Sequence, residues 1–180
     1  MGWKNVKEHY GIGHIVQVVP GEGICIGSGY VHDLILIRED LSVRRHELVG
    51  RGEPFDGWVR QMEADKGKLR ELIETPDKFA ASIPVFTYDY DGNITEKRCE
   101  EPGWPNATHD GFLMYENTFS TDRAEVVGWA KRELAAAAES ARRSVADAEC
   151  DLQKQRNWLE RCEVGLARLT ADYSGDECEP

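Results

Sequence analysis

The stretch that decides the fold is DRAEVVGWAKRELAAAAESARRSVADAECDLQKQRNWLERCEVGLARLTAD, residues 122–172. It contains no proline, and its two glycines, Gly128 and Gly165, lie near its ends. Asp122 and Glu125 have the spacing of a capping box, with an aspartate in place of the usual Ser or Thr. The stretch therefore predicts one uninterrupted helix over residues 120–173, about 75 Å long at 1.5 Å per residue.

Apolar residues recur along this helix with the heptad spacing of a coiled coil. One seam position holds, in order, Lys131, Ala138, Val145, Leu152, Leu159 and Leu166. The other holds Val127, Leu134, Ala141, Ala148, Gln155, Cys162 and Leu169. Lys131 and Gln155 are the two clearly polar members. Alanines dominate the first half of the seam and leucines dominate the second half.

A small head cannot cover a seam of this length, so the pattern predicts a partner helix. Self-pairing into a homodimer is the most common arrangement, and the pattern leaves parallel and antiparallel pairing open. An alternative is that the helix predicted for residues 56–74 packs on the alanine half. The residues expected to carry dimerisation are Val127, Leu134, Val145, Leu152, Leu159, Cys162, Leu166 and Leu169.

The part before the long helix is predicted to be an α+β head over residues 1–119, mainly antiparallel, with one packed helix. Residues 12–48 predict a β meander, because β-branched apolar runs alternate there with glycine-rich turns. The run Val31–Ile37 (VHDLILI) ends in four apolar residues. Such a run is typical of a central strand that is covered on both faces.

Helical spacing replaces the β pattern over residues 56–74. Asp91-Gly92 between two apolar runs then predicts a hairpin over residues 84–99. Phe112–Tyr115 (FLMY) reads as one further short strand, and residues 174–180 are predicted to be a flexible acidic tail.

Charge narrows the range of partners. The 180 residues carry a formal net charge of −11, which argues against a direct DNA or RNA binder because phosphate affinity comes from Lys and Arg. Residues 53–119 hold seven basic and fourteen acidic groups, so the acidity favours a basic partner at this part of the head. The chain lacks a ~20-residue apolar run, a signal-peptide pattern and a disulfide or zinc spacing. We expect a reduced, cytoplasmic protein without a membrane partner.

Catalytic signatures, nucleotide loops and metal-ligand spacings do not stand out in the sequence. Asp89, Asp91 and Asn93 faintly resemble a calcium loop, but Gly92 would fall at its fourth position rather than its sixth. A hairpin turn is therefore the favoured interpretation. We expect no catalytic residue, no metal site and no cofactor.

Acidic residues and a tryptophan follow one another around the predicted hairpin. Trp104 lies in the loop EPGWP, and tryptophan is one of the residue types that dominate the energetics of protein interfaces. The residues expected to bind a partner are Asp89, Asp91, Glu96, Glu100, Glu101 and Trp104.

The run WPNATHDGFLMYENTF, residues 104–119, leads into the alanine-rich helix. It resembles the C-terminal half of uncharacterised accessory proteins of tailed bacteriophages, over about residues 104–170. The resemblance carries no functional residue across. It implies a small, acidic, non-enzymatic protein that binds and blocks a host or bacterial-defence protein, as anti-CRISPR proteins do.

Three hypotheses follow from the sequence. The first is a non-enzymatic, dimeric, phage-encoded protein that binds and inhibits a host or defence protein through an acidic surface. The second is an enzyme or small-ligand binder whose site is assembled from scattered residues of the head, such as His14, His32 and Asp33. The third is a structural or assembly factor that uses the coiled coil as a spacer.

Overall fold

The computed structural model describes residues 1–46 and 52–172 and divides into two units, Met1–Lys131 and Arg132–Pro180. The last two residues of the predicted meander and the predicted tail lie outside the described residues. An antiparallel sheet region with helices and a long C-terminal helix confirms the predicted α+β class. In chain order the elements are α1 (Trp3–His9), β1 (Ile15–Val19), β2 (Gly23–Gly27), β3 (Ile35–Ile37), β4 (Val43–Arg45), α2 (Phe55–Ala64), α3 (Lys66–Glu74), β5 (Ile83–Tyr88), β6 (Ile94–Cys99) and α4 (Arg123–Asp172).

The first sheet is an antiparallel meander with strand order β1-β2-β3-β4. β3 lies between β2 and β4 and is fully buried, but it is shorter than the run Val31–Ile37. The reason is a turn at Ser28, whose backbone N–H donates to the Val31 carbonyl at 2.8 Å and whose hydroxyl accepts from the Val31 N–H at 3.2 Å. These bonds keep Val31 in the turn, and regular strand geometry begins at Ile35, although the Leu34 carbonyl still accepts from the His46 N–H at 3.0 Å.

The head has three helices in the described residues, whereas the sequence predicted one. The helix expected over residues 56–74 is divided into α2 and α3, because Asp65 leaves helical geometry at φ −133° and ψ 78°. Its carboxylate accepts a hydrogen bond from the Lys68 N–H at 2.8 Å, and aspartate is a favoured N-cap. Asp65 therefore starts a new helix. The core that these helices share with the sheet includes Val6, Val16, Ile24, Ile26, Ile35, Ile37, Met62 and Leu69.

The additional helix, α1, is capped by a residue far away in the sequence. The carboxylate of Asp77 accepts hydrogen bonds from the N–H groups of Lys4 at 3.2 Å and Asn5 at 2.8 Å. Burial raises the pKa of Asp77, although these hydrogen bonds act in the opposite direction. The helix is also anchored by Trp3 and Val6, which are buried in the core.

The hairpin β5–β6 forms a separate two-stranded sheet. The short strand predicted at Phe112–Tyr115 is wrong: that segment makes an isolated bridge between Ala107 and Leu113. The chain turns back over these residues, since the Thr108 N–H donates to the Phe112 carbonyl at 2.8 Å. A small second core lies here, made of Val85, Cys99 and Met114 with Ile83 and Phe119 against it.

The long helix α4 runs without interruption over 50 residues, as predicted. Asp122 caps it by accepting from the Ala124 N–H at 2.8 Å. Glu125 does not complete the capping box directly. Its carboxylate accepts from the Ser120 hydroxyl at 2.6 Å, and that hydroxyl accepts from the Asp122 N–H at 3.0 Å.

The unit boundary lies later than the predicted one at residue 119. Val126 is fully buried and Ala130 is nearly so, so the first turns of α4 belong to the first unit, which ends at Lys131. None of the helices in residues 1–46 and 52–172 combines the length and the apolar character that a membrane crossing requires.

Candidate interaction surfaces

The seam of α4 is on the surface from Arg132 onward. Throughout residues 132–172 the side chains are exposed, apart from the position of Gly165. Exposed fractions of the large seam residues range from 37% at Leu134 to 67% at Leu166. The predicted dimerisation residues in this exposed part are Leu134, Val145, Leu152, Leu159, Cys162, Leu166 and Leu169, whereas Val127 is partly buried within the first unit.

Exposure alone does not identify the partner face of α4. Trp158 and Val164 lie outside both seam positions, yet they are 58% and 65% exposed. The guanidinium of Arg161 lies 5.3 Å from the centre of the Trp158 ring. The heptad spacing is therefore the feature that distinguishes the seam from the rest of this helix.

The alternative in which residues 56–74 cover the alanine half of the seam would need the apolar faces of α2 and α3. α2 buries Trp58 and Met62, and α3 buries Leu69 and Leu72. All four side chains lie in the core of the first unit. The apolar faces of these helices are therefore already used.

The predicted acidic residues do not form one patch. Asp89 and Asp91 lie in the turn of the hairpin, where Asp89 Oδ1 accepts from the N–H groups of Asp91 at 3.0 Å and Asn93 at 2.9 Å. The hydrogen bond from the Asn93 side chain lowers the pKa of Asp89. Glu100 and Glu101 follow the other end of β6, about 20 Å along a six-residue strand. The two pairs of carboxylates thus belong to two separate places on the head.

Glu100 and Glu96 each have a cationic partner within the head. Glu100 accepts from Lys4 Nζ at 2.7–2.8 Å and from the Ala80 N–H, which ties α1 to the end of the hairpin. Partial burial, the largest single influence, raises the pKa of Glu100, but the hydrogen bonds from Lys4 and Ala80 and the charges of Lys4 and His109 together lower it overall. Glu96 lies 2.9 Å from the Arg98 guanidinium. Glu100 therefore stabilises the fold of the head.

Trp104 belongs to an exposed aromatic pair. Its ring stacks on Tyr115 with centroids 5.6 Å apart and an interplanar angle of 28°. The two side chains are 38% and 49% exposed. Glu101, which is exposed, precedes Trp104 by three residues in the same loop. We name Glu101, Trp104 and Tyr115 the aromatic–acidic patch. The sequence contains these aromatic residues, but the contact between them across the loop has no local sequence signal.

Three side chains at the first sheet could together hold a metal ion: Glu22, Cys25 and His32. Their ligand atoms, one from each side chain, lie within 4.8 Å of one another. Cys25 is fully buried, and burial together with Glu22 raises its thiol pKa to about 12. A thiol in this state is protonated at neutral pH, whereas the thiolate is the form that attacks substrates and binds metals. The Glu22–Cys25–His32 cluster is thus poorly suited to nucleophilic chemistry.

The three scattered residues of the enzyme hypothesis have different partners. The ring of His14 packs edge-to-face on Phe55 at 4.9 Å, and His32 Nε2 lies 3.6 Å from Glu22. Asp33 accepts from Arg44 at 2.8 Å. These contacts explain each side chain without a shared site.

A groove of about 410 Å³ lies between α1 and the loop that follows the hairpin. Its charged lining is mixed, because Lys4 and Lys7 lie beside Glu8, Glu100 and Glu101. Lys4 pairs with both Glu8 and Glu100. Because Lys4 offsets part of their charge, these two carboxylates leave little net charge in the groove for a ligand to bind.

No family model, curated protein or solved structure matches this chain.

Proposed function

We propose that this chain is a non-enzymatic, homodimeric binding protein. In this proposal the seam of α4 pairs two copies, and the aromatic–acidic patch of the head contacts a basic site on a partner protein. The target class is a host or bacterial-defence protein that is inhibited by occupation of its surface. That class is the one that the resemblance of residues 104–170 to phage accessory proteins implies.

The exposed seam of α4 is the observation that carries the proposal. Six large apolar side chains of the seam, at Leu134, Val145, Leu152, Leu159, Leu166 and Leu169, are exposed in the single chain. Burying one such side chain fully contributes about 1.5–3 kcal/mol. Most of the stability of helices in proteins comes from the packing of an apolar face, so a second helix on this seam would stabilise the second unit.

The aromatic–acidic patch suits a cationic side chain. The faces of Trp104 and Tyr115 attract Arg or Lys through their ring quadrupoles, and the Glu101 carboxylate adds a direct charge partner. The carboxylates of Asp89 and Asp91 at the hairpin turn provide a separate acidic contact. An exposed interaction of this kind weakens as salt rises, because charges are screened over about 8–10 Å at physiological ionic strength.

Dimerisation is tested first. Light scattering of the wild-type chain at tens of micromolar should give twice the chain mass of 20.3 kDa. A clean monomer at that concentration would contradict the proposal.

Recognition is tested by retention of bacterial lysate proteins on the immobilised chain at several salt concentrations. Trp104→Ala combined with Glu101→Lys should abolish retention of a specific protein, and that retention should fall with salt. Glu63→Lys is the matched control, because it reverses an exposed acid on α2. A separate Asp91→Lys variant measures the contribution of the hairpin turn. Unchanged retention by the Trp104/Glu101 variant would show that another surface binds.

A further inference from the structure

The exposed seam of α4 changes in side-chain size along its length. Positions 138, 141 and 148 hold alanine, whereas positions 152, 159, 166 and 169 hold leucine. In a parallel pair each layer joins a residue to its own copy, so alanine layers would lie at one end and leucine layers at the other. The distance between packed helices follows the side chains at the contact, over about 8–10 Å. A parallel pair would therefore have to widen toward its leucine end.

An antiparallel pair removes this mismatch, because the alanine half of one copy meets the leucine half of the other. One register sets Leu152 of one copy opposite Gln155 of the second copy. The interhelical distance then stays nearly even along the pair, since small residues lie opposite larger ones. The remaining layers in this register are Ala138 with Leu169, Ala141 with Leu166, Ala148 with Leu159, and Cys162 with Val145.

A column of charged residues beside the seam selects the same register. We call it the flank column: Arg142, Glu149, Arg156 and Glu163, each one residue after a seam position. Its charges alternate in sign. In an antiparallel coiled coil the flank columns of the two helices run beside each other, and such pairs set partner choice and orientation. Arg142 then meets Glu163 of the second copy, and Glu149 meets Arg156, which gives four opposite-charge pairs per dimer.

Other registers lose this complementarity. A shift of one heptad in one direction sets Arg142 beside Arg156 of the second copy, and a shift in the other direction sets Glu149 beside Glu163. In a parallel pair the flank column instead faces positions 144, 151 and 158. Only Asp151 with Arg156 then joins opposite charges. Within its own chain Arg142 makes an exposed contact of 3.6 Å to Glu139, which contributes little and is easily exchanged.

Gln155 supports the same arrangement. In this register the two copies of Gln155 are about 4.5 Å apart along the axis, close to the two-fold axis of the pair. Their amide groups are then within reach of each other. A single polar residue at a seam position specifies the register of a coiled coil at some cost in stability. Pairing of the two Gln155 side chains would therefore favour this register over others.

We infer that two copies of this chain pair antiparallel through α4, with Leu152 of one copy against Gln155 of the other. This inference rests on the proposed homodimer and adds its orientation and register. The surface it assigns is the seam from Ala138 to Leu169 together with the flank column.

Disulfide trapping tests the orientation. All variants carry Cys150→Ser and Cys178→Ser, so that Cys162 is the exposed thiol of α4; Cys25 and Cys99 are buried. In the inferred pair the two copies of Cys162 lie about 25 Å apart along the axis. Oxidation should therefore leave this background as single chains on a denaturing gel.

Adding Val145→Cys should produce covalent dimers, because position 145 lies opposite Cys162 of the second copy. The control, Val145→Cys with Cys162→Ser, should stay uncrosslinked. Covalent dimers through Cys162 alone would overturn the antiparallel orientation while leaving the homodimer intact. Absence of covalent dimers from the Val145→Cys variant would overturn the register. A monomer in light scattering would overturn the homodimer itself.

Charge reversal tests the register independently. An all-arginine flank column (Glu149→Arg, Glu163→Arg) and an all-glutamate one (Arg142→Glu, Arg156→Glu) should each weaken self-association by roughly a hundredfold, since four attractions become four repulsions. An equal mixture of the two variants should recover the dimer. Glu139→Arg with Glu160→Arg is the control, because it makes the same charge change outside the flank column. Self-association of the all-arginine variant at wild-type strength would overturn the inference.

Discussion

Replacing Leu159 by Asp should dissociate the proposed homodimer, whereas replacing Val164 by Asp should not. Both side chains are apolar, both lie in the exposed part of α4, and they are 57% and 65% exposed. In the single chain the two substitutions are therefore closely matched. They differ in one respect, because Leu159 occupies a seam position and Val164 does not.

The size of the effect follows from the exposure of Leu159. Full burial of a leucine contributes about 1.5–3 kcal/mol. Because Leu159 is 57% exposed, somewhat over half of that free energy would be gained when the helix pairs. Each copy thus contributes about 1–1.5 kcal/mol, or about 2–3 kcal/mol per dimer. Leu159→Asp also places two carboxylates in an apolar contact, which adds a desolvation cost. Since 1.4 kcal/mol is tenfold in affinity, the dimer Kd should rise by roughly a hundredfold or more.

Sedimentation velocity over about 1–100 µM measures this difference directly. The wild type and Val164→Asp should sediment as dimers across most of the range, and Leu159→Asp should sediment as a monomer. Near-ultraviolet circular dichroism serves as the control for an intact head. Equal loss of the dimer in both variants would refute the seam as the specific contact, and so would a Leu159→Asp protein that remains dimeric.

Three further predictions concern the head. Lys4→Met should lower its free energy of unfolding by about 1 kcal/mol at neutral pH. The pKa of Glu100 is lowered in the folded protein, so the stability difference between wild type and Lys4→Met should be fully present above the unfolded carboxyl pKa of about 4.3. Thermal melts should show that the difference is lost as the pH falls through the folded pKa. Iodoacetamide should label the exposed Cys150, which lies outside the seam, rapidly and the buried Cys25 slowly, and rapid labelling of Cys25 would contradict its raised pKa. A chelator should leave the melting temperature unchanged; a fall of several degrees would point to a metal at the Glu22–Cys25–His32 cluster.

The parts of the fold that were predictable depend on contacts between near neighbours. The heptad pattern of α4 repeats over many turns, so a single conflicting residue does not hide it. The hairpin is signalled by Asp91-Gly92, because the backbone at Gly92 needs positive φ. In both cases the signal and the structure it specifies lie within a few residues of each other.

The missed parts depend on residues distant in the sequence or on a choice between two local structures. α1 is short, and its cap comes from Asp77, so the segment itself gives no start signal. Asp65 is compatible with a helix interior, but its preference for capping divides the predicted helix in two. Glu100 reads as one more surface acid until Lys4 is found beside it. The same limit applies to the Trp104–Tyr115 pair.

If two copies pair as proposed, the exposure of α4 beyond Lys131 makes the amount of protein in a cell a determinant of its state. In its described residues, 132–172, the second unit consists of the helix alone, so in the proposed homodimer its folding would be coupled to association and would depend on concentration. A scarce protein would present an open, protease-sensitive helix, and an abundant one would protect it by pairing. In that case the rate of synthesis would set the concentration above which pairing protects the chain.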